Sequence, residues 1–189
     1  MSKPSILWRC AFGAALAGLL VGCDTEPQLQ WHHLSLDEVG LEFSLPCEAQ
    51  VAQTPVDFGL DIGRVPVNML GCDALDSTYA VSHWLLNDAK QADDALAFWQ
   101  AAVLTRLKAV DGENDKSGAS FVPLGAMDLP RSIRATVQGE GPSGWTITTH
   151  GVWFARQEGD KARIFHAVIY APKPQHGIAN TFFKSLVLK

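Results

Sequence analysis

Cys23 stands at the end of the stretch Leu19-Leu20-Val21-Gly22 and carries a thiol, once ionised the most nucleophilic of the ordinary side chains. A thiolate can be alkylated to a thioether, paired as a disulfide or, left protonated, packed as a small apolar group. The chain holds 4 Cys, and Cys10, Cys47 and Cys72 are the others. No two of them have the Cys-x-x-Cys spacing that zinc or thioredoxin-like redox chemistry uses.

The 6 His are the next candidates. His32 and His33 are adjacent, and in a strand adjacent side chains point to opposite faces. His83, His150 and His166 fall in different strand-like stretches and can converge only if those strands are neighbours and turn the same face. His176 lies beyond the last long strand. Separate, satisfied histidines are the simpler reading, and no metal ligand is assigned. Serine chemistry is no better supported. Gly141-Pro142-Ser143-Gly144 lacks the Gly-x-Ser-x-Gly elbow and precedes a strand rather than a helix. The close carboxylates (Asp93 with Asp94, Glu113 with Asp115, and Glu26) sit at a helix start or in polar segments, where solvation accounts for them. No catalytic residue and no cofactor are assigned.

What positions Cys23 is the segment before it. Lys3 and Arg9 precede the apolar run Cys10–Val21, which is followed by small residues. A charged start, a short apolar run and a small-residue boundary make a secretory signal. The run is shorter than the roughly 20 residues a membrane-spanning helix needs. Leu20-Val21-Gly22-Cys23 resembles a bacterial lipobox. That resemblance implies a diacylglyceryl thioether on Cys23, cleavage between Gly22 and Cys23, and acylation of the freed amine. Residues 1–22 are then the discarded signal, 23–30 an acylated tether, and 31–189 one domain. Asp24 follows the lipid site, which in lipoproteins of enterobacterial type favours the inner membrane over the outer. The expected location is the periplasmic side of the cell envelope, held to the bilayer through acyl chains on Cys23.

In that oxidising setting Cys47 and Cys72 form an even pair. Cys47–Val56 and Gly63–Cys72 read as the arms of a hairpin. With Phe58 to Asp61 as its loop, Asp57 pairs with Ile62 and Cys47 falls opposite Cys72, within disulfide range.

The remaining composition is that of a globular chain, 47% hydrophobic and 19% charged. Of its 15 basic residues, Lys3 and Arg9 leave with the signal, so 13 remain against 20 acidic, a balance of −7. No basic run follows Arg9, and phosphate neutralisation by a nucleic-acid binder needs one. Nucleic acid is therefore excluded as a partner.

The elements follow from periodicity. Trp31–Ser35 and Leu41–Leu45 read as strands, the second by its alternation of Leu41, Phe43 and Leu45 with Glu42 and Ser44. Thr78–Leu86 is apolar on both faces and reads as a central strand. Leu96, Trp99, Val103 and Val110 then recur at helical spacing, which gives an amphipathic helix over Gln91–Val110. Asn87 and Asp88 can cap it, and Gly112 stops it. Phe121–Leu124, Ser132–Gln138, Trp145–Arg156 and Ala162–Ala171 read as further strands. Ile178, Phe182 and Leu186 mark a short C-terminal helix. Strands that follow one another directly make an antiparallel sheet, and two helices must cover it, so the class is α+β. Of the tryptophans after the signal, Trp99 is expected in the core, Trp84 and Trp153 on strands, and Trp31 and Trp145 where they can be exposed.

The stretches Gly40–Pro46, Tyr79–Trp84, Ala162–Pro172 and Ala179–Lys189, in this order around one long helix, resemble the PsbP-like/DcrB-like class of small lipoproteins. The resemblance covers Leu41 to Lys189. It implies a central antiparallel sheet with helices on both sides, an α/β/α sandwich, and no catalytic residues to carry over. The expected role is a non-enzymatic binding or accessory module for an envelope protein partner. The alternative is an envelope hydrolase or small-ligand-binding protein with a pocket between sheet and helix, beside His83, His150 or His166.

Overall fold

The computed structural model describes residues 29–59, 62–108, 118–141 and 143–189. The expected signal segment, residues 1–22, together with Cys23 and Asp24, lies outside the described residues.

Chain order gives β1 (His32–Leu36), β2 (Leu41–Leu45), β3 (Gln50–Asp57), β4 (Arg64–Ala74), β5 (Ser77–Leu86), α1 (Ala92–Arg106), β6 (Ala119–Ser120), β7 (Ile133–Glu140), β8 (Thr146–Glu158), β9 (Lys161–Ala171), α2 (His176–Lys184) and β10 (Val187–Leu188). The architecture is α+β. Among the described residues one sheet has seven strands in the order β3-β4-β5-β9-β8-β7-β6, a smaller one has the order β1-β2-β10, and every pairing is antiparallel.

Strand alternation divides the core into two. Val152 and Phe154 of β8, with Phe165, Ala167 and Ile169 of β9, face Leu41, Phe43 and Leu45 of β2 and Ala179, Phe182 and Phe183 of α2. Trp153 and Ala155 of β8, with Ile164 of β9 and Trp84 of β5, face Ala92, Ala95 and Leu96 of α1. The large sheet is thus buried on both sides, by α1 on one and by α2 with the small sheet on the other. That explains why β5, β8 and β9 read as nearly continuous apolar runs. Each wholly buried Phe or Leu contributes about 1.5–3 kcal/mol relative to exposure.

The small sheet is held by its last residue and by one arginine. Lys189 donates its backbone N–H to Gly40 O, and its ammonium pairs with Glu42. Arg156 Nη1 reaches the carbonyls of Gly40 and Lys189 at 3.2 and 3.3 Å. Glu158 accepts from both Arg156 and Arg163, which holds its carboxyl below the usual range.

Cys47 and Cys72 are joined as a disulfide, with Cα atoms 5.8 Å apart. Their expected register is corrected. Asp57 pairs with Arg64, not Ile62, and Gln50 pairs with Gly71. The hairpin is therefore shifted by two residues, because Phe58 N–H bonds to Gly63 O and lengthens the loop. Cys47 lies outside β3, on the segment leaving β2, so the disulfide fastens the small sheet to the large one instead of spanning two ladder partners.

Three further expectations change. The long helix ends at Arg106, short of Val110, because Leu107 O accepts the N–H of Glu140 from β7 and Lys108 turns left-handed at φ 45°. Val110 and Gly112 lie outside the described residues. Its apolar residues are also spread around the helix, so Phe98, Trp99 and Leu104 are only half-buried. Phe121–Leu124 is not a strand. Only Ala119–Ser120 pairs with β7, after which Phe121 turns inward against Phe154 and Phe183.

Candidate functional site

His83, His150 and His166 do stand on neighbouring strands, β5, β8 and β9. They do not converge. His166 is level with Ser82 and Trp153 and lies on the α1 side, whereas His83 is level with Phe165 and His150 with Ile169, on the α2 side. The last two are separated by four residues along β9, about 13 Å at strand rise. Among the described residues no three His, Cys, Asp or Glu side chains form a metal-holding group.

His150 is wholly buried and each ring nitrogen has a partner. Nε2 accepts the backbone N–H of Gln175 at 3.0 Å, and Nδ1 lies 2.9 Å from Thr136 Oγ1. Because the Gln175 amide can only donate, Nε2 must be unprotonated and Nδ1 carries the hydrogen. His150 therefore donates to the threonine hydroxyl and cannot draw a proton from it. Burial, with the nearby charges of His176 and Arg134, lowers its pKa to about 4, which keeps the ring neutral. Gln175 extends the network: it accepts from Tyr79 Oη at 3.2 Å and donates to Ser77 Oγ at 2.9 Å. The network ties the start of α2 to β5, β7 and β8.

An open groove of about 250 Å³ lies directly outside this network, lined by Gly118, Ala119, Arg134, Ala135, Thr136 and His176. The His176 ring packs edge-on to His150 with centroids 5.2 Å apart. Arg134 lies over the Phe183 ring and donates to Asn180 Oδ1 at 2.7 Å. Among the described residues the groove offers a guanidinium, an imidazole and a hydroxyl, a set suited to an anionic group, and its hydroxyl, Thr136, accepts from His150 instead of being activated by it. A second hollow of about 430 Å³ adjoins it at Gly118, bordered by Asp128, Leu129 and Pro130.

His166 sits in an aromatic stack. Trp153 lies parallel to it at 4.6 Å and Trp99 meets it edge-on at 5.2 Å. Burial lowers its pKa to about 3. Among the described residues, His166 Nε2 and the indole nitrogens of Trp84 and Trp153 have no hydrogen-bond partner. Gly151 makes room for the stack, since a Cβ there would collide with the Trp153 ring.

The remaining sequence candidates separate. Ser143 is exposed in a tight turn closed by Gly144 N–H to Gly141 O. Asp93 accepts the backbone N–H of Arg131 at 2.8 Å, a structural bond, while Asp94 is exposed. Glu26, Glu113 and Asp115 lie outside the described residues. His33 Nε2 is 3.7 Å from Glu42. Trp84 and Trp153 are buried, Trp31 and Trp99 half-buried, and Trp145 is 78% exposed. Sequence reasoning did not single out Thr136, Arg134 or Gln175. Their roles arise from pairings across the sheet that no local pattern encodes. No protein-family model matches the chain, and a search of curated proteins finds no match.

Proposed function

We propose that the chain is a lipid-anchored bacterial envelope lipoprotein, facing the periplasm and acting as a non-enzymatic binding or accessory module. The observation that carries the reading is Leu20-Val21-Gly22-Cys23 placed directly after a signal-type apolar run. The Cys47–Cys72 disulfide supports it, because stable disulfides belong to oxidising compartments and because the pair leaves Cys23 free for lipid. Asp24 favours retention in the inner membrane. The direction of the His150–Thr136 hydrogen bond, with the ring donating to the hydroxyl, supports a binding role over a hydrolytic one. The sheet covered by helices on opposite faces supports the PsbP-like/DcrB-like sandwich as the fold class.

Within this reading the partner is an envelope protein. A second reading, a small-ligand-binding protein, is favoured by the groove at Arg134, Thr136 and His176. Fractionation of cells expressing Cys23→Ala tests the anchor. The variant is expected in the soluble periplasmic fraction while the parent pellets with membranes, and a variant that still pellets removes the lipoprotein reading. Cross-linking from the membrane separates the two roles: one specific protein partner supports the first, and saturable binding of small carboxylates or phosphates lost in Arg134→Ala supports the second.

A further inference from the structure

Two exposed apolar side chains project from the end of the molecule at which the chain emerges from its N-terminal tether. Ala74 is level with Ser77, Thr78 with Tyr170, and Thr148 with Ala171, so these residues close the large sheet along one edge row. Leu75 follows Ala74 at the tip of the β4–β5 hairpin and is 42% exposed. Trp145 lies three residues beyond Thr148, about 10 Å past that row at strand rise, and is 78% exposed. The tether arrives at the same end. Trp31 precedes His32, which pairs with Leu45, and Cys47 two residues later is bonded to Cys72, two residues before Ala74.

Leu75 is also conformationally out of place. Leu75 and Asp76 have φ 48° and 58°, the left-handed pair of a tight hairpin turn. That turn favours Asn-Gly, and a branched apolar side chain pays a steric penalty there. Neither burial nor local propensity accounts for a leucine at this tip. Trp145 is likewise exposed in a turn, between Gly144 at φ 79° and β8. Indole is the side chain most at home in the headgroup region of a bilayer, with an apolar ring and a polar N–H.

We infer that Trp145 and Leu75 form a membrane-seating edge that dips into the lipid headgroup region and sets the domain's orientation on the bilayer. The inference rests on the lipid anchor proposed above. The eight residues from Cys23 to Gln30, seven Cα–Cα steps, span at most roughly 25 Å when extended, which keeps this end of the domain within reach of the surface. Charge at the edge is mixed. Lys173 is exposed after β9 and Lys108 pairs with Glu140, while Asp73 and Asp76 flank Leu75. Contact is therefore made by apolar insertion, with little dependence on anionic lipid. The exposed Leu124 belongs to the opposite end, where Gly125 adjoins Leu188 and β2 begins, and faces away from the membrane.

The test uses full-length lipidated protein in phosphatidylcholine liposomes containing brominated acyl chains, which quench indoles in the bilayer. Quenching of tryptophan emission is expected in the parent and Leu124→Ser, with most of it lost in Trp145→Phe and part of it lost in Leu75→Asn. The emission difference between parent and Trp145→Phe is expected to shift to the blue in liposomes relative to soluble Cys23→Ala. Protein that floats with liposomes yet shows the same quenching in parent and Trp145→Phe would overturn the seating edge and leave the anchor standing. Protein that does not float overturns both.

Discussion

The backbone amide of Gln175 donates to His150 Nε2 at 3.0 Å, and this one bond fixes what the histidine can do. It assigns the ring hydrogen to Nδ1 and directs it at Thr136 Oγ1, 2.9 Å away. A threonine beside a histidine at a groove has the look of a nucleophile and its base. The direction of the hydrogen bond makes it a structural brace instead, joining the start of α2 to two strands.

The brace is open to direct measurement. Long-range proton–nitrogen NMR correlation at neutral pH should give His150 as the Nδ1–H tautomer. Thr136→Val strands that N–H in a buried site, and an unsatisfied buried donor costs about 1–3 kcal/mol, read as a lowered denaturation midpoint. An Nε2–H tautomer would contradict the arrangement.

Acid should weaken the fold through its buried histidines. His83 and His150 are held near pKa 4 and His166 near 3, all below the ordinary 6.5. Burial is the main cause in each case. Arg163 lowers His83 further while Glu158 opposes it, His176 and Arg134 act on His150, and His166 is shifted by burial alone. The unfolded chain thus binds protons that the folded chain refuses. This stabilisation is complete above pH 6.5 and is lost as pH falls toward 4. Each histidine contributes at most about 1.4 kcal/mol per pH unit in that window, less where solvent reaches it. Urea denaturation at pH 7 and pH 5 should show a lower midpoint at pH 5, and His166→Phe should flatten the dependence. Equal midpoints in the parent would contradict it.

Reducing the Cys47–Cys72 bond should cost about 3–3.5 kcal/mol by chain entropy for a loop of this size. Since the bond fastens the small sheet to the large one, hydrogen exchange should accelerate first in β1, β2 and β10. Chemical denaturation of Cys47→Ser with Cys72→Ser, followed by exchange mass spectrometry, checks both effects. Exchange that accelerates uniformly would mean the small sheet does not depend on the disulfide.

The elements legible from sequence are those whose pattern is local. Leu41, Phe43 and Leu45 alternate with Glu42 and Ser44 because one face of β2 meets the core. The apolar runs of β5, β8 and β9 follow from burial on both faces. What escaped notice depends on distant partners. Val187–Leu188 is a strand only because β2 offers it an edge. The hairpin register turns on one bond, Phe58 N–H to Gly63 O. The early stop of α1 at Arg106 is imposed by Glu140 on β7. The same holds for the candidate site. Histidines on neighbouring strands were visible as a possibility, but one residue of register decides which face each takes, and it sets His166 opposite to His83 and His150. Thr136 and Gln175 carry no local signal at all, since their significance lies in the ring between them.

Mass spectrometry of the protein purified from membranes decides whether Cys23 carries lipid. An N-terminal peptide beginning at Cys23 is expected, with a diacylglyceryl group on sulfur and an acyl chain on the amine. A chain that retains residues 1–22, or a mature N-terminus with Cys23 as a free thiol or absent, would contradict it.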